Sequence, residues 1–307
     1  MKKSHKFIVS FLISAILVYF LLKQINLSEL YEVLLRVNPI LLLGSFILYI
    51  LLALLRVFRF QVLLKKSLPS KTLFPIICVH TLLKIIIPFR VGDLSIVYML
   101  KKRNHSIGKG MSSLIVARIF DFVIIVFGFI IFTIFSSNLP NRDVFVKLIP
   151  YTVFFLLILV FGLIILLISP DLILKILKKI KLEKLGGLIT PFNDLKSRHV
   201  LFKTFFITLG IYFVSMIYTY ILVLGVGFLL PLNIYVIMIS ISALSAALPI
   251  NGIAGFGTVE AVIALTLSYF GYAASEAILL GFSTHIIQIL FATILGLIGY
   301  ILLEKTY

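Results

Sequence analysis

The chain has 307 residues, of which 62% are hydrophobic and 13% charged, with a net charge of +17 and a mean hydropathy of +1.21. A soluble domain of that length cannot hide so much apolar surface, so the solvent has to be lipid, and a water-soluble enzyme or binding module is excluded. The positive charges lie between apolar runs without any nucleic-acid-binding motif, which points to cytoplasmic loops and anionic lipid rather than to nucleic acid; the single Cys78 allows neither an intrachain disulfide nor a thiolate metal cluster.

Taken in chain order, "MKKSHKFIVSFLISAILVYFLLKQ" starts like a signal peptide, with a basic end and an apolar run. It lacks a small-x-small cleavage site and so predicts an uncleaved first span over 7–22. A short loop with Lys23, Glu29, Glu32 and Arg36 precedes span 2, expected over 39–56. Arg56, Arg59, Lys65, Lys66 and Lys71 then form a basic patch, and Lys101, Lys102, Arg103 and Lys109 form another after the apolar segment 73–100. Span 3 is expected over 111–136 and span 4 over 148–168. The polar segment 169–203 is rich in Lys and Arg. Span 5 is expected over 204–229, a second irregular apolar segment over 234–270, and a last span over 278–302.

Charge sets the expected orientation. The N-terminus, 56–71, 101–109, 169–203 and the C-terminus hold three quarters of the 28 Lys and Arg, whereas the alternate loops hold only Lys23, Arg36, Arg142 and Lys147. The positive-inside rule then puts both termini in the cytoplasm of a multi-pass plasma-membrane protein. Segment 73–100 has basic flanks at both ends, is too short for two spans of about 20 residues each, and carries Pro88 and Gly92 at its middle. It reads as a re-entrant hairpin of two half-helices. Segment 234–270 behaves alike from the opposite face, interrupted by Pro249, Gly252, Gly255 and Gly257 and followed by Glu260.

The fold class that results is an all-α polytopic membrane protein with about six full spans and two broken-helix hairpins in an inverted-repeat arrangement. One pseudo-repeat is 1–136 with hairpin 73–100, the other 145–303 with hairpin 234–270. Within 169–203, "SPDLILKILKKIKLEKL" puts Leu172, Ile173, Ile176, Leu177 and Ile180 on one face and Lys175, Lys178, Lys179 and Lys181 on the rest. That is a basic amphipathic helix suited to the inner leaflet, with a partner protein as the alternative occupant.

Six ionisable residues fall within or near apolar depth: Lys84, Arg90, Asp93, Arg118, Asp121 and Glu260. Each costs about 2.5–3.5 kcal/mol on insertion scales, so three positive and three negative side chains invite internal pairing. Arg118 and Asp121 share a helical face, and Arg90 and Asp93 straddle the first break. Structural ion pairing competes here with a polar cleft in which Lys84, Arg90 and Arg118 hold a phosphate and Asp93 and Glu260 hold an amine or a proton. Asn251, inside the second break, joins the expected substrate-binding set. His80 and His285 read as hydrogen-bonded packing residues. No P-loop, HExxH or GxSxG is present, so no catalytic residue, cofactor or metal is expected.

With "PFRVGDLSIVYML", "ARIFD" and "PINGIAGFGTVEAVI" in view, the chain resembles the flippase-like membrane domain of lysylphosphatidylglycerol synthases over nearly its full length. One departure is Ala117, where family members often carry a Glu before Arg-x-x-Asp. The resemblance implies a lipid translocase that moves an aminoacylated phosphatidylglycerol or a related polar lipid between leaflets. A phosphatidylglycerol lysyltransferase, or its membrane subunit, and a membrane scaffold are the alternatives. The chain ends four residues after Leu303, so the soluble transferase domain of the large synthases is not expected in it. The implied partners are an anionic or aminoacylated membrane phospholipid and, as further options, a separate lipid-modifying enzyme and a second copy of the chain.

Overall fold

The computed structural model describes residues 15–87, 91–136, 139–179, 182, 185–245 and 253–304. Regular structure among the described residues is entirely helical. Helix α1 (residues 15–22) belongs to the first expected span, whose remainder lies outside the described residues. Helix α2 (Leu27–Leu35) is a short amphipathic turn of chain capped by Asn26, whose side chain accepts the Ser28 N–H at 3.2 Å. Helix α3 (Pro39–Leu63) starts with proline at its first position and with Asn38 accepting the N–H groups of Ile40 and Leu41; both are standard helix-start devices.

Helix α3 departs from the expected end near residue 56. Val57, Phe58, Phe60, Val62 and Leu63 prolong the apolar pattern, and the helix carries Arg56 and Arg59 with it to Leu63. These two arginines therefore belong to the bundle and not to the basic loop. The first interrupted segment comprises α4 (Ser70–Ile86), a 3-10 turn (Val91–Leu94) and α5 (Ser95–Lys101). Ser106 caps α6 (Ile107–Phe135), and α7 (Arg142–Ile168) follows. Helix α8 (Pro170–Lys179) begins with the expected proline. Short helices α9 (Gly186–Ile189) and α10 (Phe192–Leu195) lead to α11 (Arg198–Gly225). The second interrupted segment is α12 (Leu232–Ser245), a 3-10 turn (Ile253–Gly255) and α13 (Thr258–Tyr269), and α14 (Ala274–Glu304) closes the chain.

Among the described residues five helices are long and apolar enough to cross a membrane: α3, α6, α7, α11 and α14. The protein is a polytopic α-helical membrane protein. Its interrupted segments consist of shorter pieces of 17, 7, 14 and 12 residues. At 1.5 Å per residue they extend about 26, 11, 21 and 18 Å, each short of a hydrocarbon core of about 30 Å. Helix α7 lies at the rim, with Phe154, Leu157, Ile158 and Phe161 exposed; in lipid these side chains need no further cover.

Three packings organise the bundle. The first is between α3 and α11. Asn38 N–H donates to Gly225 C=O at 2.9 Å, Ser45 Oγ to Tyr218 C=O at 3.1 Å, and Lys65 Nζ pairs with Asp194 at 2.8 Å. Residue numbers rise along one helix as they fall along the other, so the pair is antiparallel. Tyr49, Tyr218 and Phe291 close its core, with ring centroids 5.5 and 5.7 Å from Tyr49.

The second packing brings α4 against α14. A Cβ on Gly296 would lie 2.5 Å from Leu82, and one on Gly299 would lie 2.7 Å from Cβ of the buried Cys78 and 2.9 Å from the Pro75 carbonyl. Small residues let two backbones approach where lipid offers no hydrophobic drive to pack. Helix α12 against α6 is the third packing. Gly299→Val is expected to lower stability by about 1–3 kcal/mol through overpacking, read as a fall in the thermal midpoint of the purified protein in detergent; an unchanged midpoint would contradict the close α4–α14 crossing.

Candidate functional site

A cavity of about 430 Å³ lies at the centre of the bundle. Its wall includes Arg56 and Arg59 from α3, Thr81 and Lys84 from α4, Asp93 from the first break, and Arg118 and Asp121 from α6. Thr208 and Tyr212 of α11, Ser240 of α12 and His285 and Gln288 of α14 continue the wall, and Ala254 and Gly255 bring the second break to the same space. The 3-10 turn of that second break also packs against α4.

Backbone geometry holds the first break in place. Gly92 presses on α4 so closely that a Cβ there would stand 2.3 Å from the Leu83 carbonyl oxygen and 2.7 Å from Lys84 Cα. No other residue fits that gap. The turn is thereby folded back on its own helix, and Asp93, 7% exposed, is directed at Arg118 of α6. His80 Nδ1 lies 2.8 Å from Ser95 Oγ and ties α4 to the start of α5.

The charged side chains form a connected row. Asp93 pairs with Arg118, Arg118 reaches Asp121 at 3.3 Å, and Asp121 pairs with Arg59. Arg59 also donates to Thr208 at 3.4 Å, so the row links the first break to α6, α3 and α11. Arg118 and Asp121 meet as their spacing predicts, but each also has a partner from another element. Arg59 is 5% exposed and its Nε, like that of Arg118, has no hydrogen-bond partner among the described residues. Arg56 donates to Thr81 Oγ1 at 3.4 Å. Ala117 lies in the wall one residue before Arg118.

Around the second break the arrangement is different. Ala254, Gly255 and Gly257 all have positive φ, at 53°, 79° and 82°. Glycine adopts this conformation without steric cost, while Ala254 is strained there. Thr258 Oγ1 donates to Gly255 C=O at 2.8 Å, and Gly257 N–H donates to Glu260 at 2.7 Å. Glu260 is completely buried and its other oxygen lies 2.6 Å from His285 Nδ1. The carboxylate thus holds the start of α13 and reaches the cavity only by way of His285, which lines it. Of the expected set, Lys84, Asp93, Arg118 and Asp121 share the cavity wall, Glu260 stands behind it, and Gly92, Gly255 and Gly257 shape the breaks. Pro88, Arg90, Pro249, Asn251 and Gly252 lie outside the described residues.

Arg56, Arg59 and His285 complete the site: the sequence reads the two arginines as loop charges and His285 as a hydrogen-bonded packing residue, and His285 both bonds Glu260 and lines the cavity. The arginines' spacing of three within "RVFRFQVLL" puts both on one helical face, and that is the signal the sequence offers. Among the described residues no group of three or more His, Cys, Asp and Glu side chains is arranged to hold a metal ion.

The charged cavity sits in a chain that matches a known family over nearly its whole length. A family model described as the lysylphosphatidylglycerol synthase TM region matches residues 7–296. The chain belongs to this family. No curated protein and no solved structure matches it. Family membership and the five apolar helices make it a membrane protein tied to lysylphosphatidylglycerol and lipid metabolism.

Removing one member of a buried ion pair leaves the other charge uncompensated, at about 3–5 kcal/mol. Asp121→Asn is therefore expected to destabilise strongly by stranding Arg59, and the double variant with Arg59→Met is expected to recover much of the loss. Denaturation midpoints of the three proteins check this; equal midpoints for wild type and Asp121→Asn would refute the pairing.

Proposed function

We propose that this protein is a lipid translocase: a phospholipid headgroup enters the charged cavity while its acyl chains remain in the surrounding lipid. The observation that carries the reading is that both helix breaks line one cavity, which carries the row of charged side chains, inside an apolar bundle. Broken helices whose freed backbone groups border a cavity near mid-membrane are the usual construction of a transporter's substrate site. At about 430 Å³ the space suits a headgroup and excludes two acyl chains.

The helix packing supports an inverted repeat with halves 1–136 and 145–303. Exchanging the halves maps α3 onto α11, α4 onto α12, α5 onto α13 and α6 onto α14. Under that exchange the α4–α14 packing becomes α12–α6, and α5–α6 becomes α13–α14; all four are present. Because the equivalent helices α3 and α11 run antiparallel, the relating axis lies across them and not along them, as inversion requires. In this reading the interrupted segments are re-entrant hairpins entering from opposite faces, with both termini cytoplasmic. Rocking one half against the other exposes the cavity to each leaflet in turn, and α8, with Leu172 exposed and Lys175, Lys178 and Lys179 beside it, rests on the inner leaflet.

Reconstitution with a fluorescent phosphatidylglycerol, followed by quenching from outside, tests the reading. Wild type is expected to move label between leaflets. Asp93→Asn, which releases Arg118 from one of its two carboxylates, is expected to slow this by about tenfold or more, the equivalent of 1.4 kcal/mol, while the folded yield is kept. A wild-type-like rate in Asp93→Asn, or no protein-dependent movement at all, would overturn it.

A further inference from the structure

The cavity's charges do not balance. Among the described residues its wall carries four cationic side chains, Arg56, Arg59, Lys84 and Arg118, and only two carboxylates, Asp93 and Asp121. Both carboxylates are already engaged, Asp93 by Arg118 and Asp121 by Arg59 and Arg118. The acid of the second break, Glu260, is turned away toward His285 and the Gly257 N–H. Arg56 and Lys84 have no carboxylate within ion-pair distance among the described residues. Arg56 has only the hydroxyl of Thr81, and Lys84 stands among Arg56, Arg118, Asp93 and Asp121, with both carboxylates paired to arginines. Arg56 and Lys84 are half-buried because one side faces the cavity. The buried Nε groups of Arg59 and Arg118 add two unused donors.

An arrangement of this kind wants an anion. Surplus guanidinium and ammonium groups in a low-dielectric site are relieved by a phosphate, which accepts several charge-assisted hydrogen bonds at once. An ammonium finds nothing comparable: it would add a fifth positive charge to the wall, where Asp93 and Asp121 already serve Arg118 and Arg59. We infer that the cavity selects a headgroup whose phosphate diester is not offset by an amine, and that Arg56 and Lys84 are the residues that hold this phosphate. The inference rests on the lipid reading of the cavity and sharpens it: the preferred lipid is anionic, as phosphatidylglycerol is, and the aminoacylated form is disfavoured.

Binding and movement are measured separately so that the two ideas can fail separately. Purified protein is titrated by native mass spectrometry with phosphatidylglycerol, phosphatidylcholine and lysyl-phosphatidylglycerol, with inorganic phosphate as competitor. Phosphatidylglycerol is expected to bind about tenfold or more tightly than either of the others, as the loss of one charge-assisted hydrogen bond implies. Lys84→Gln and Arg56→Gln are each expected to weaken it by a similar factor, and Lys84→Arg to retain it. Because Lys84 lacks an acid partner, Lys84→Met is expected to raise the lipid-free thermal midpoint while abolishing the rise that phosphatidylglycerol gives wild type. Equal or tighter binding of lysyl-phosphatidylglycerol, or undiminished phosphatidylglycerol binding by the folded Lys84→Gln variant, would overturn the inference. Displacement of lipid by an equal concentration of inorganic phosphate would reassign the site to the free ion and overturn the lipid source. Selective binding without any movement between leaflets would uphold the headgroup assignment and remove the translocase reading.

Discussion

Charge buried in an apolar bundle must find its counter-charge, and the row Asp93–Arg118–Asp121–Arg59 is how this protein meets that constraint. Any of these side chains alone at depth would be expensive. Joined, they fasten the first break to α6, α6 to α3, and α3 to α11 through Thr208. The row therefore does two jobs at once. It fixes the relative positions of four elements, and it lays a polar wall along a space that the apolar helices around it leave unfilled.

The two breaks solve a related problem by different means. A helix interrupted within a membrane exposes N–H and C=O groups that need partners. At the first break the chain folds back on α4, made possible by Gly92 lying against the Leu83 carbonyl. At the second, a run of positive φ at residues 254, 255 and 257 is stabilised by Thr258 and Glu260, the latter accepting the Gly257 N–H and engaging His285. One break presents a carboxylate to the cavity; the other retracts its carboxylate and presents an imidazole and backbone. This asymmetry accounts for one of the two charges by which the cavity's cations exceed its carboxylates.

Much of the architecture was legible in the sequence because lipid imposes a simple rule on composition. Long apolar runs locate four of the spans, α6, α7, α11 and α14, to within about six residues at each end, and Pro, Gly and acid at 88–93 and 249–260 mark the interruptions. The end of α3 was misplaced because Arg56 and Arg59 were weighed as loop charges, whereas the apolar residues between them keep the helical pattern going to Leu63. Asp121, the partner of Arg59, lies 62 positions away from it, and no local spacing announces such a pair. Glu260 was identified as an acid at a break, but which way it faces depends on His285, supplied by a different helix. Local pattern reveals elements and interruptions; it does not reveal which charges have already been spoken for.

Cys78 sits where α4 crosses α14, its Cβ 2.7 Å from the position a side chain on Gly299 would occupy. It is the molecule's sole sulfhydryl and is sealed in that crossing. Should α4 and α14 part along this seam, the thiol would be uncovered, and should the seam act as a fixed pivot, it would stay shut. The native chain thus carries its own chemical reporter on which seam opens, with no other cysteine to blur the signal.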